Sequence, residues 1–363
     1  GERGRNSLFL RIRKPCAAQT AGLGNIFSQK NNKGEENETM KKILALVLVL
    51  IMALGLAACA APAAPAEEPT PAAEPETEKV DSQAILAELK TPAEESNWER
   101  TTSSQEVIDF LKVVAEHSAG RIILDTTTFA TEAGTPIPYM IISDVAPASP
   151  ADVPEDKGVV YVNCNIHSGE IEGKESMMIF AREVAQGKHD DLLKDLVVII
   201  VPNSNPDGND NLGKNRITTQ FTPKLVGTRA EGNGLNVNRD MTKLETACGR
   251  TIVKLMNDWN PILFIDAHAT DGSYMRHAVT YNWGLNAGTD AELLAYNRDV
   301  FCSRALREGS YLASKGKVAV PYGNWGYYYS DIVAEGWRTF EDYARYTTNY
   351  AGLRNRLALL LEV

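Results

Sequence analysis

Apolar and polar positions fall into two rhythms along the chain. Residues 158–164 (Gly-Val-Val-Tyr-Val-Asn-Cys), 196–201 (Leu-Val-Val-Ile-Ile-Val) and 261–268 (Pro-Ile-Leu-Phe-Ile-Asp-Ala-His) are short, nearly unbroken apolar runs. Each is bounded by turn-forming residues, and such runs predict buried strands. Residues 121–128 and 137–143 predict two further strands, and residues 353–363 a last one. Helical spacing appears elsewhere. Ser103, Ser104 and Glu106 open a pattern carried by Val107, Phe110, Leu111 and Val114 that ends near Gly120. A second pattern runs from Ile171 through Met177, Met178, Phe180 and Val184, a third covers 251–259, and a fourth covers 291–312. Strands alternating with helices predict an α/β fold: a mixed, largely parallel central sheet flanked by helices. No internal repeat is visible.

The N-terminal part has a different character. Met40-Lys-Lys is followed by an aliphatic run over 43–58. Two lysines, an apolar core too short to span a bilayer comfortably and small residues at its end predict a secretory signal over 40–58. Leu56-Ala-Ala-Cys59 resembles a bacterial lipobox, which implies cleavage before Cys59 and lipid on its sulfur. Residues 1–39 then precede the expected start and read as an over-extended reading frame. Residues 59–79 are the lipidated cysteine and a tether of Ala, Pro, Glu and Thr that ends in Lys79. Residues 80–363 are the expected folded domain, anchored outside the cytoplasm to a bacterial membrane.

Composition narrows the partners. The chain has 363 residues, 44% hydrophobic and 23% charged, with a net charge of −10. Beyond residue 58 the balance is 28 basic against 43 acidic residues. So acidic a body argues against nucleic acid and against an anionic membrane surface. The five cysteines show neither metal-ligand spacing nor a disulfide framework.

The chemistry gathers where strands end. His167 and Glu170 stand three apart just past the first apolar run, at a strand-to-helix junction, and His268 closes the third. Open α/β sheets place ligands at the carboxyl ends of their strands. Two histidines and a glutamate hold zinc with a position left for water. The bare spacing is cheap, since His268 and Asp271 repeat it.

Taken together, these residues resemble the zinc carboxypeptidases of the M14 type, over roughly residues 99–363. The resemblance implies one zinc ion per chain on His167, Glu170 and His268, with Asn205-Pro-Asp-Gly208 matching a family turn. Gly234-Leu-Asn-Val-Asn-Arg-Asp240 resembles the segment whose Asn-Arg pair clamps the substrate's terminal carboxylate, which assigns that role to Asn238 and Arg239. Arg229 takes the place of the oxyanion-stabilising arginine, with Arg216 as its rival, and Glu362 takes that of the general base. Asn236 replaces the acid that orients the first zinc histidine in the family, and Asp266 is a candidate to share that work. Tyr322, Trp325, Tyr327, Tyr328 and Tyr329 lie where the family carries its capping tyrosine. The family continues past its catalytic glutamate with a helix, so a C-terminally incomplete catalytic domain is expected here. The implied activity is removal of C-terminal residues from peptides with a free terminal carboxylate. The alternatives are a zinc amidohydrolase acting on acylated amino acids or peptidoglycan stem peptides, and a zinc-retaining binding lipoprotein without catalysis.

Overall fold

The computed structural model describes residues 81–214, 222–270, 277, 279–307, 310–325 and 336–363. The expected signal, Cys59 and the tether, together with Arg216, Asp271 and Tyr327 to Tyr329, lie outside the described residues.

Eight strands form one sheet: β1 (Ile122–Asp125), β2 (Tyr139–Ile142), β3 (Gly158–Cys164), β4 (Leu196–Val201), β5 (Leu263–His268), β6 (Val279–Trp283), β7 (Ala319–Pro321) and β8 (Leu357–Glu362). Their spatial order is β1-β2-β4-β3-β5-β8-β6-β7. The central run β4-β3-β5-β8 is parallel, and antiparallel pairings join β2 to β4 and β8 to β6. The mixed, largely parallel sheet is therefore the one the apolar runs predict. Every residue of β4 and β5 is buried, as strands covered on both faces must be.

Helices α1 (Ser104–Glu116), α2 (Glu172–Ala185), α3 (Ala247–Trp259) and α4 (Thr347–Leu353) supply most of the cover. Ser103 caps α1 in a capping box with Glu106, as the sequence pattern foretells. Residues of β3 alternate between two environments. Tyr161 meets Phe264 edge to face at 5.2 Å, in a core that includes Ile252, Leu255 and Met256 of α3. Cys164 and Ala267 face the other way, against the first turn of α2.

That second contact is close. A Cβ at Gly173 would lie 2.9 Å from the Ala267 Cβ and 3.2 Å from the Cys164 Cβ. Neither neighbour can move without its strand. Gly173→Ala is therefore expected to lower stability by about 1–3 kcal/mol despite alanine's better helix propensity. A reduced denaturation midpoint at unchanged slope is the measurement that checks it.

The next two residues of α2 anchor the segment before α1. Lys174 is fully buried and its Nζ donates to Thr101 Oγ1 at 2.7 Å, Thr102 O at 2.5 Å and Asn209 Oδ1 at 2.6 Å. Glu175 accepts from Thr101 Oγ1 and from the amide and hydroxyl of Thr102. The buried pair is thus fully hydrogen-bonded, which is what makes it tolerable.

Four elements differ from expectation. Strand β1 ends at Asp125 and not at 128, where the Asp125 carboxylate accepts from the Thr127 and Thr128 amides. Residues 291–312 are not one helix: Ala291–Ala295 gives way to a π-helical turn over Tyr296–Phe301 before helix resumes at Cys302–Leu306. Within that turn Asn297 donates through its amide to Ala358 O of β8 at 2.9 Å. Residues 353–356 are not strand, because α4 ends at Leu353 and Asn355, with φ 58°, turns the chain before β8. Helix α3 starts at Ala247, not 251. Thr246 caps it, and Asp240 in turn accepts from the Thr246 amide and hydroxyl at 2.7 Å.

Candidate metal centre and active site

Strands β3, β5 and β8 end at the same edge of the sheet, and Glu362 is paired in register with His268. Beyond β3 the chain turns through Asn165, which has φ 59°. This left-handed conformation is one that asparagine tolerates. Asn165 Nδ2 donates to Asn203 Oδ1 at 2.7 Å and Asn209 Oδ1 at 3.1 Å. The turn at Asn205 holds the loop that follows: its amide nitrogen donates to Ile166 O at 3.2 Å, and its carbonyl accepts from Ser168 Oγ at 2.6 Å. His167 is thereby fixed before α2 begins.

His167, Glu170 and His268 are all buried, and their ligand atoms lie within 4.8 Å of one another. The Nδ1 atoms of His167 and His268 stand 2.8 and 2.7 Å from the two Glu170 oxygens. Each outer nitrogen has its own acceptor. His167 Nε2 is 3.1 Å from Asn236 Oδ1, and His268 Nε2 is 2.9 Å from Asp266 Oδ2. An imidazole that donates from Nε2 presents a lone pair at Nδ1. Both Nδ1 atoms thus point at one carboxylate, and a cation can take their lone pairs once any Nδ1 proton has left. Two nitrogens and a carboxylate also match the open coordination set of catalytic zinc, so the residues present fit the ion. Asp266 supports His268, however, and takes no share in orienting His167.

The electrostatics separate the two histidines. Burial pushes His167 down to about 4, outweighing the attraction of Glu170 and reinforced by Arg229 and His268. Burial also pushes His268 down, but Asp266 and Glu170 together win and hold it well above the ordinary range. The opposite shifts reflect different surroundings: His268 has a second carboxylate behind it, whereas His167 has an uncharged amide and the positive charge of Arg229 nearby. Burial would raise Glu170, but the two histidines hold it well below the usual carboxylate range. Asp266 behaves in the same way, with His268, Asn163 and Thr347 outweighing burial.

Around this cluster a pocket is lined by Arg229, Asn238, Arg239, Ala269, Tyr322, Phe340, Tyr346, Thr348, Leu360 and Glu362. Every metal, clamp, oxyanion and base residue expected from the sequence borders it. Arg229 donates to Glu170 Oε1 at 3.2 Å. Asn238 Oδ1 accepts from the Thr347 amide at 3.0 Å, which leaves its amide nitrogen for the pocket. The Arg239 guanidinium lies 4.2 Å above the Tyr346 ring and donates to Asn238 O at 2.7 Å. Among the described residues Arg239 forms no direct ion pair with a carboxylate, and Glu341 acts on it only as a nearby charge. Burial lowers it, Tyr346 and Glu341 oppose this, and Arg229 and Arg345 lower it further.

Of the expected aromatic candidates, Tyr322 borders the pocket, and Trp325 lies in the short strand Asn324–Trp325. Sequence reasoning missed Phe340, Tyr346, Thr347 and Thr348. The only signal for the last three was the polar run Arg345-Tyr-Thr-Thr-Asn349 ahead of the last apolar stretch, and Phe340 had none.

An α/β protein with a His-Glu-His cluster at the carboxyl edge of its sheet is the class that fold and site define. Residues 110–244, which carry His167, Glu170, Arg229, Asn238 and Arg239, match the family described as zinc carboxypeptidase. Over those residues the match bears out the resemblance to the M14-type zinc carboxypeptidases. The metallo-carboxypeptidase from Burkholderia cenocepacia shares the fold at 17% identity and a TM-score of 0.50, over 72% of this chain and 60% of that one. The metallo-carboxypeptidase from Pseudomonas aeruginosa, solved in complex with (2-guanidinoethylmercapto)succinic acid, is 18% identical with a TM-score of 0.46. The alignment covers 70% of this chain and 58% of that one. The chain thus spans about three-fifths of these relatives' length. No curated protein matches it.

Proposed function

We infer that the protein is a zinc-dependent carboxypeptidase that hydrolyses the C-terminal peptide bond of substrates with a free terminal carboxylate. The observation that carries this reading is the pairing, in one pocket, of the His167–Glu170–His268 cluster with a half-buried arginine, Arg239, that forms no direct ion pair with a carboxylate of the described residues. Zinc held by the three ligands would polarise the scissile carbonyl and lower the pKa of a nearby water.

The chain's own groups divide the remaining work. The Arg239 guanidinium and the Asn238 amide nitrogen hold the terminal carboxylate, a fork and an additional donor. That contact orients the scissile bond toward Glu362. Glu362 accepts the proton of the attacking water and returns it to the leaving amine. Arg229 donates to a Glu170 oxygen, lines the same pocket, and would serve the carbonyl oxygen as it gains charge. The lipobox-like segment and its tether further support a cell-envelope location, anchored to a bacterial membrane by lipid on Cys59.

The test combines metal content with release of amino acids from a mixed peptide pool. One zinc per chain and loss of C-terminal residues are expected. Amidating the peptide C-terminus is expected to lower kcat/KM by at least about tenfold, because the Arg239 fork loses its ionic partner. Equal hydrolysis of amidated and free peptides would instead favour a zinc amidohydrolase. Zinc without any hydrolysis would favour a binding lipoprotein.

A further inference from the structure

Thr347, the first residue of α4, touches both halves of the site. Its hydroxyl donates to Asp266 Oδ2, the same oxygen that faces His268 Nε2 at 2.9 Å. Its backbone N–H donates to Asn238 Oδ1 at 3.0 Å. The hydroxyl oxygen is also 3.1 Å from Asn238 Oδ1, but it has one proton, and a carboxylate is the stronger acceptor. The first amides of a helix have no partner within the helix. Asn238 therefore fixes where α4 begins, and that start fixes where the hydroxyl stands. Asp266 has a further donor, Asn163 Nδ2 at 2.9 Å, so its carboxylate is held from two sides. Thr347 and Asp266 are both buried.

We propose that Thr347 is a positioning residue that links the carboxylate clamp to the metal centre, so that Asn238 supports metal binding through Thr347 and Asp266 without touching a ligand. The linkage runs Asn238, Thr347, Asp266, His268. It rests on the reading of His167, Glu170 and His268 as zinc ligands. Its use is to keep the terminal-carboxylate donors and the metal in one fixed relation, since catalysis loses steeply when reacting groups shift by an ångström.

The experiment measures the zinc dissociation constant of the metal-stripped full chain by competition with a chelating dye. Thr347→Val keeps the shape and removes the hydroxyl, and is expected to weaken zinc binding by up to about tenfold, the low end of the loss seen for direct partners of a metal histidine, because Thr347 acts on His268 through Asp266. Thr347→Ser restores the hydroxyl and should bind zinc as the parent does. Asn238→Ala, although remote from the metal, should weaken zinc binding roughly two- to fivefold. Combined with Thr347→Val it should add nothing, because no hydroxyl remains to be positioned. Thr251→Val is the control for general destabilisation: Thr251 is equally buried, but its hydroxyl serves Ala247 O within α3. Parent-like zinc affinity in Thr347→Val, multiplying losses in the double variant, or an equal loss in Thr251→Val would each overturn the linkage. A parent chain that takes up no zinc would overturn the underlying reading of the site instead.

Discussion

Glu362→Gln should lose at least about 10²–10⁴-fold in kcat while retaining one zinc per chain, the range by which a positioned base contributes to catalysis. The expectation follows from where β8 ends. Glu362 pairs with His268 in adjacent parallel strands, its main-chain oxygen accepts from Thr280 Oγ1 at 3.2 Å, and its side chain borders the pocket. The residue lines the pocket and is only 8% exposed, so it is largely withdrawn from bulk water. Glutamine keeps the volume and one acceptor but cannot take a proton. None of the three ligands changes, so metal content should not. Peptide hydrolysis and zinc content, measured on one preparation, separate the two effects. Hydrolysis at the parental rate would remove Glu362 from the reaction and send the search for a base elsewhere in the pocket.

Much of this arrangement was legible before any coordinates. Residues buried on both faces write themselves as unbroken apolar runs, which is why β3 and β4 begin and end where the pattern does. The cluster followed because polar residues at strand ends stand out against those runs. What stayed hidden depends on contacts distant in sequence. Strands β6 and β7 are short and mixed in polarity, and only pairing with β8 and with each other identifies them. The break in 291–312 comes with an Asn297 contact to a strand some sixty residues away. Thr347 looked like an ordinary polar residue. Its part emerges only when α4 sets it between Asp266 and Asn238, 81 and 109 residues earlier in the chain. Asp266 shows a subtler difficulty. Its distance of two residues from His268 was visible, but a strand places i and i+2 on one face, so it serves that histidine and not His167.

The same asymmetry sets how zinc binding should depend on pH. In the metal-free protein His268 is raised well above its ordinary value by Asp266 and Glu170, against the effect of burial, so it carries two ring protons at neutral pH. A metal takes the Nδ1 position only after that proton leaves. His167 is lowered to about 4 by burial, which outweighs Glu170, and is already neutral there. The sign follows: between about pH 5 and neutrality zinc uptake should release one proton, and zinc affinity should rise about tenfold for each pH unit gained. Below about pH 4 His167 is protonated as well, and the dependence should steepen to two protons. The folded metal-free chain shows the complementary trend. A raised histidine stabilises it fully below the unfolded value, and that contribution is lost as pH rises through the folded one. Glu170, held low by the two histidines, contributes above its unfolded value and loses this as pH falls through its folded one. Replacing Asp266 with Asn would remove the charge that distinguishes the histidines. His268 should then behave more like His167, with fewer protons released on zinc uptake at pH 7. Calorimetric titrations of the parent and Asp266→Asn in buffers of different ionisation enthalpy count those protons directly, and equal counts would mean that Asp266 does not set the state of His268.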